Sequence, residues 1–61
     1  DQDNFLSMIE GYIAFHELPI TMDEVRPRAI EWAATRGSRN GRVAWQFIQD
    51  LAGELGVRLG N

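Results

Sequence analysis

The chain contains no cysteine and no lysine, and only one histidine and two prolines among its 61 residues. Without cysteine there can be no disulfide and no thiolate zinc site, and one histidine cannot build a structural zinc centre, so no stabilising metal is expected. Every positive side chain is an arginine. No apolar run approaches the ~20 residues that span a bilayer, and no segment has the pattern of a secretory signal. A cytoplasmic location is the expectation, with no membrane partner. Chains this short bury only about 60% of their unfolded surface. The core of a single small domain over residues 1–61 therefore contributes just a few kcal/mol beyond the entropy cost (about 3–5). Low thermal stability or self-association follows. The sequence opens on Asp1 rather than methionine, so it is expected to be part of a longer protein, with a stabilising neighbour outside it.

What is present is unevenly distributed. Residues 1–24 hold six acids and no base, giving −6, whereas residues 25–61 hold six arginines against Glu31, Asp50 and Glu54, giving +3. The total of −3 argues against nucleic acid as the partner of this chain.

Three stretches have helical period and none alternates as a strand would, so the fold class is all-α, a small three-helix bundle. The first helix covers about residues 2–16. Phe5, Met8, Ile9, Tyr12 and Ile13 form its stripe, with Leu6 widening it. Asp1 caps its start, and Pro19 ends helical geometry by Leu18. Gly11 costs about 1 kcal/mol in a helix interior and is expected to admit a second helix at close range. The second segment opens on Thr21-Met22-Asp23-Glu24, a capping-box pattern. Pro27 lacks the amide that would reach the carbonyl of Asp23, so the expectation is a turn at 22–25 and a helix over 26–36. Ile30, Ala33 and Ala34 form its apolar side, with Trp32 a further candidate, and Gly37 is its stop. The third helix covers 41–55, capped by Asn40 and stopped by Gly56. Its stripe is Ala44, Phe47, Ile48, Leu51 and Leu55, with Val43 at the edge. The last five residues are expected to fray.

The stretch with chemical content is RGSRNGRVAWQF, residues 36–47. With Asn40 as cap, Arg42 is the second helical residue, where a cation opposes the helix dipole by about 0.3–1 kcal/mol. An anion in front of the helix reverses that sign, because free N–H groups, the dipole and a guanidinium then point at it together. At about 100° per residue, Arg42, Trp45 and Gln49 fall opposite the core stripe. Trp45 is there either to be wrapped by another element or to await one, and a solvated Arg42 beside a Trp45 that closes a small core is the plain structural reading. Arg36 and Arg39 flank the turn and could touch phosphate or a neighbouring subunit. As exposed loop arginines they need do neither.

At these residues the sequence resembles the third lid helix of AAA+ ATPases, in which a sensor-2 arginine opens the helix and reaches the ATP phosphates. It is similar to the lid of the branch-migration helicase motor, where a capping residue, a proline and the arginine follow one another. Asn40, Gly41 and Arg42 occupy those places here, with glycine in place of proline. It is more like a bacterial family of predicted AAA+ ATPases of unassigned function. That family carries a similar D-x-F/Y-L opening, here Asp3-Asn4-Phe5-Leu6, and a similar G-x-R-x-G-R-x-A-x-Q-F block, here Gly37, Arg39, Gly41, Arg42, Ala44, Gln46 and Phe47. The resemblance implies a helical lid subdomain, with Arg42 as the sensor-2-like residue. Arg39, Arg36, Asn40 and Trp45 become candidate phosphate or interface contacts. It further implies ATP as ligand, with Mg2+ bound by an upstream AAA+ core domain, and a homo-oligomer in the full-length protein. The chain itself holds no G-x-x-x-x-G-K-[ST] loop, so no activity is expected of it alone and ATPase activity is expected of the full-length protein.

Other residues read as structural, and no catalytic residue is assigned. His16 lies near the centre of the first stripe and is a half-buried packing residue, since no second histidine or cysteine supports a catalytic role. Asp23 and Glu24 are helix-start residues, adjacent and pointing apart. Glu10 and Glu17 are solvated. Phe5, Met8, Tyr12 and Trp32 are core. A competing function is a helix-turn-helix DNA-binding module, with Arg39, Asn40 and Arg42 opening a recognition helix. Its acidic first half counts against it, and steeply salt-dependent DNA binding would favour it. A weaker alternative is an interaction bundle without a ligand.

Overall fold

The computed structural model describes residues 1–59, which form three helices and no strand. These are α1 (Gln2–Phe15), α2 (Met22–Arg36) and α3 (Gly41–Leu55). The expected all-α bundle is the fold.

Helix α1 starts where Asp1 can act on it: the Asp1 carboxylate accepts a hydrogen bond from Asn4 N at 2.8 Å. It ends by turning left-handed at Glu17, with φ of 53°. Leu18 N then donates to Ile13 O at 3.0 Å, and the buried Leu18 side chain anchors the chain just past the helix. This closing motif satisfies carbonyls the last turn would leave bare. Glycine was the residue to expect at such a position, and its absence hid the motif.

Helix α2 departs from expectation. It runs unbroken from Met22 through Pro27, instead of a turn followed by a helix from residue 26. Thr21 is its cap residue, but its side chain makes no capping hydrogen bond. The backbone closes the first turn, with Glu24 N and Val25 N donating to Thr21 O at 3.2 and 3.1 Å. Asp23 and Pro27 are both exposed, so water can reach the carbonyl that lost its donor. Val25, fully buried, pins that turn to the core. Starting the helix early brings Val25 into the core, where Ala29 and Ala33 are buried as well, while Ala34 faces solvent. Ile30 and Trp32 are half-buried against the cluster.

Helix α3 has the expected bounds, with Asn40 and Gly56 at its ends. Val43, Ala44, Phe47, Ile48, Leu51 and Ala52 are buried, and Leu55 is half-buried. Past Gly56 the chain does not fray at once. Val57 N donates to Ala52 O at 2.9 Å, and Val57 and Leu59 pack against the core. The rest of the expected frayed tail, residues 60–61, lies outside the described residues.

Phe5, Ile9, Val25, Ile48 and Leu51 form the fully buried centre, each contributing about 1.5–3 kcal/mol by burial. The helices meet in a definite order. A methyl group on Gly41 would lie 3.9 Å from the sulfur of Met8, and Tyr12 meets Trp45, so contacts advance together along α1 and α3. Between α2 and α3 they run oppositely, Arg28 with Glu54 and Trp32 with Phe47. Gly11 does not serve a close helix approach. It is exposed, and a Cβ there would meet nothing within 4 Å.

Candidate functional site

A glycine stop and an asparagine cap build the start of α3. Gly37, at φ 68°, ends α2, its N–H donating to Ala33 O at 2.9 Å. Three residues later Asn40 is extended, and its Oδ1 accepts from Val43 N at 2.9 Å while its carbonyl accepts from Ala44 N at 3.1 Å. Ser38 Oγ accepts from Asn40 N at 3.4 Å, which steadies the turn. Asn40 thus uses its side chain on the third helical amide. The amides of Gly41 and Arg42, ahead of it, have no acceptor among the described residues.

The arginines divide into two kinds. Arg42 and Arg39 are exposed, and neither guanidinium has a hydrogen bond or ion pair among the described residues. Arg36 is engaged within its own helix. Its guanidinium lies over the Trp32 ring, 3.3 Å from the centroid, and Nη1 donates to Thr35 Oγ1 at 2.9 Å. Such stacking contributes about 0.5–1 kcal/mol at an exposed site. Asn40, Gly41 and Arg42 therefore share one helix start, while Arg36 is held back on α2.

Trp45 is wrapped rather than waiting. Its ring is 5.2 Å from Tyr12 and 5.8 Å from His16, and His16 also meets Phe15 edge-on at 5.0 Å. The face opposite the Phe47 stripe is thus a second packing surface, used by α1. His16 is half-buried within this aromatic group.

Sequence reasoning missed two features on the other side of α2. Arg28 Nη2 donates to both carboxylate oxygens of Glu54, at 2.7 and 2.8 Å, joining α2 to α3. A groove of about 280 Å³ runs beside this pair, lined by Arg28, Glu31, Trp32, Thr35, Phe47 and Asp50. Partners 26 residues apart leave no local spacing to detect. A second groove, of about 270 Å³, lies between α1 and α2 along Asp3, Glu10 and Arg26. Neither includes the α3 start. Among the described residues no group of three or more histidine, cysteine, aspartate or glutamate side chains could hold a metal ion, and no helix is long and apolar enough to cross a membrane.

No curated protein and no solved structure matches the chain. A family model does, over residues 1–55, which spans all three helices and the loop that carries Arg39. The chain belongs to the family described as "Protein of unknown function (DUF815)".

Proposed function

We propose that the chain is the helical lid of an AAA+ ATP-binding protein and that Arg42 meets the phosphates of ATP as a sensor-2-like arginine. The observation that carries this reading is the start of α3: an exposed guanidinium without a partner among the described residues, beside two backbone amides without acceptors. A phosphate in front of this helix relieves the unfavourable cation–dipole arrangement and accepts from all three donors. The donor set fits such a group, because a guanidinium presents a planar fork to phosphate oxygens.

The phosphate loop and the acidic Mg2+ ligands belong to an upstream core domain in this reading. ATP, when bound there, supplies the negative charge that Arg42 answers. The Trp45 contacts with Tyr12 and His16 tie the helix bearing Arg42 to α1. A displacement of Arg42 thereby moves α1 with it, coupling nucleotide state to the angle between lid and core. Helix α1 packs on the core or on the adjacent protomer of a homo-oligomer. The chain alone hydrolyses nothing, the full-length protein is a cytoplasmic ATPase, and Arg39 is the second candidate for a phosphate or interface contact.

ATP turnover by the full-length protein tests the assignment. A charge-assisted hydrogen bond contributes about 1.5–3 kcal/mol, so Arg42→Ala should lower turnover roughly ten- to a hundred-fold. Arg42→Lys should recover part of it, keeping charge but losing the fork. Arg58→Ala, past the end of α3, is the control. Unchanged turnover in Arg42→Ala with a loss in Arg39→Ala would move the role to Arg39, and no loss in either would end the phosphate reading.

A further inference from the structure

The groove between α2 and α3 has no part in the nucleotide reading, and its lining is chemically specific. Its volume, about 280 Å³, is below the range of about 300–1,000 Å³ in which whole small-molecule ligands bind. It suits a single anchoring side chain. The aromatic lining is Trp32 and Phe47, edge-to-face with centroids 5.5 Å apart. Glu31 and Asp50 are exposed carboxylates on it that take part in no ion pair among the described residues. Arg28, the remaining charged lining residue, is neutralised by Glu54. Counting Arg36 on the Trp32 ring as well, three carboxylates face two guanidiniums, so the surroundings stay negative.

A second observation concerns Trp32 itself. Its Nε1 is buried and has no hydrogen-bond acceptor, which is rare for a buried donor in a folded chain. Arg36 meanwhile demonstrates, at 3.3 Å, that this indole accepts a guanidinium. An occupant that brings a cation answers the two free carboxylates of the groove, and its carbonyl can accept from the buried Nε1–H once a shift of the rim uncovers it.

We infer that this groove is a docking site for an arginine side chain carried on a partner polypeptide. The guanidinium sits between Glu31 and Asp50 over the aromatic lining, where its planar donors match carboxylates and its face matches the rings. The adjoining main-chain carbonyl takes the Trp32 Nε1–H after a small shift of the groove's rim. Arginine anchored beside tryptophan is a common energetic centre of protein interfaces. The inference does not depend on the nucleotide reading, since no residue of the α3 start lines the groove.

The test uses Trp45→Phe, which leaves Trp32 as the sole tryptophan, and a short capped peptide with one central arginine. Trp32 fluorescence and the NMR resonance of its Nε1–H are followed as peptide is added through the millimolar range. Both should change saturably, the indole proton moving downfield as it gains an acceptor. The neutral citrulline analogue should bind about ten-fold or more weakly. The pair Glu31→Gln and Asp50→Asn, both exposed and isosteric, should weaken binding to a similar degree with helix content unchanged. Adding Arg42→Ala should leave it intact. An indole resonance that does not move, or that moves equally in the carboxylate variant, would overturn the inference. So would self-association of the chain abolished by that variant, which would give the groove to a second copy.

Discussion

Helices α2 and α3 are of equal length, 15 residues each, yet they are built on different terms. In α3 the cap, the stop and the apolar stripe agree, with Arg42 in the first turn and the interior Gly53 standing against local preference. An asparagine caps it through Val43 N, glycine at φ 71° stops it, and its buried stripe includes Phe47, Ile48 and Leu51. In α2 the cap side chain is idle, a proline stands inside the helix, and the buried residues are only Val25, Ala29 and Ala33. What holds α2 comes largely from outside its own local code: burial of Val25, the Arg28–Glu54 pair and the Trp32–Phe47 contact. The pair adds little by itself, because both partners are about half exposed, with side chains 43% and 52% accessible, and such bridges contribute about 0–1 kcal/mol. Helix α3 is a scaffold that specifies itself, and α2 is a helix specified by its neighbours. The candidate phosphate contact belongs to the first kind, as a precisely placed donor requires a rigid support.

The contrast can be broken most severely in the core. Phe47→Ala removes the buried α3 ring that Trp32 of α2 packs against, and should cost about 3–5 kcal/mol. In a domain this small that is enough to unfold it at room temperature, read as loss of helical circular dichroism. Repairing α2 should narrow the difference between the helices. Pro27→Ala restores an amide to the Asp23 carbonyl, and should raise stability by about 1–3 kcal/mol, measured by urea denaturation. A decrease would mean that the fixed proline geometry is itself needed at that turn. The two caps sharpen the comparison directly. Asn40→Ala should cost about 0.5–2 kcal/mol, whereas Thr21→Ala should be almost silent, because the Thr21 side chain makes no capping bond. Equal losses would erase the distinction. The smallest effect is expected at Gly11, exposed on α1 with open space around it. Gly11→Ala should stabilise by about 0.5–1 kcal/mol, visible as a small rise in melting temperature.

The same distinction explains how much could be read from residues alone. The bounds of α3 and most of its stripe were legible, because Asn40, Gly56 and the 3.6-residue spacing are local signals, while the burial of Ala52 was not anticipated. The start of α2 was not. Pro27 argues locally against a helix through residue 26, and the burial of Val25 that overrides it is a tertiary fact. The closing turn of α1 was not legible either: Glu17, left-handed without being glycine, carries no mark in the sequence. At the start of α3, the Asn40 cap and the first-turn position of Arg42 were legible from cap chemistry, and the engagement of Arg36 was not, since stacking on Trp32 depends on side-chain conformation. The α2–α3 groove was invisible for the reason that its two walls are distant in sequence.

In the proposed role, the guanidinium of Arg42 addresses phosphate and not the rest of a nucleotide. Measuring the affinity of the full-length protein for ATP and for adenosine, in the parent and in Arg42→Ala, tests it most directly. The account predicts that the substitution weakens ATP binding roughly ten- to a hundred-fold, matching the loss of a charge-assisted hydrogen bond, and leaves adenosine binding unchanged. Equal weakening of both ligands, or of neither, would contradict it.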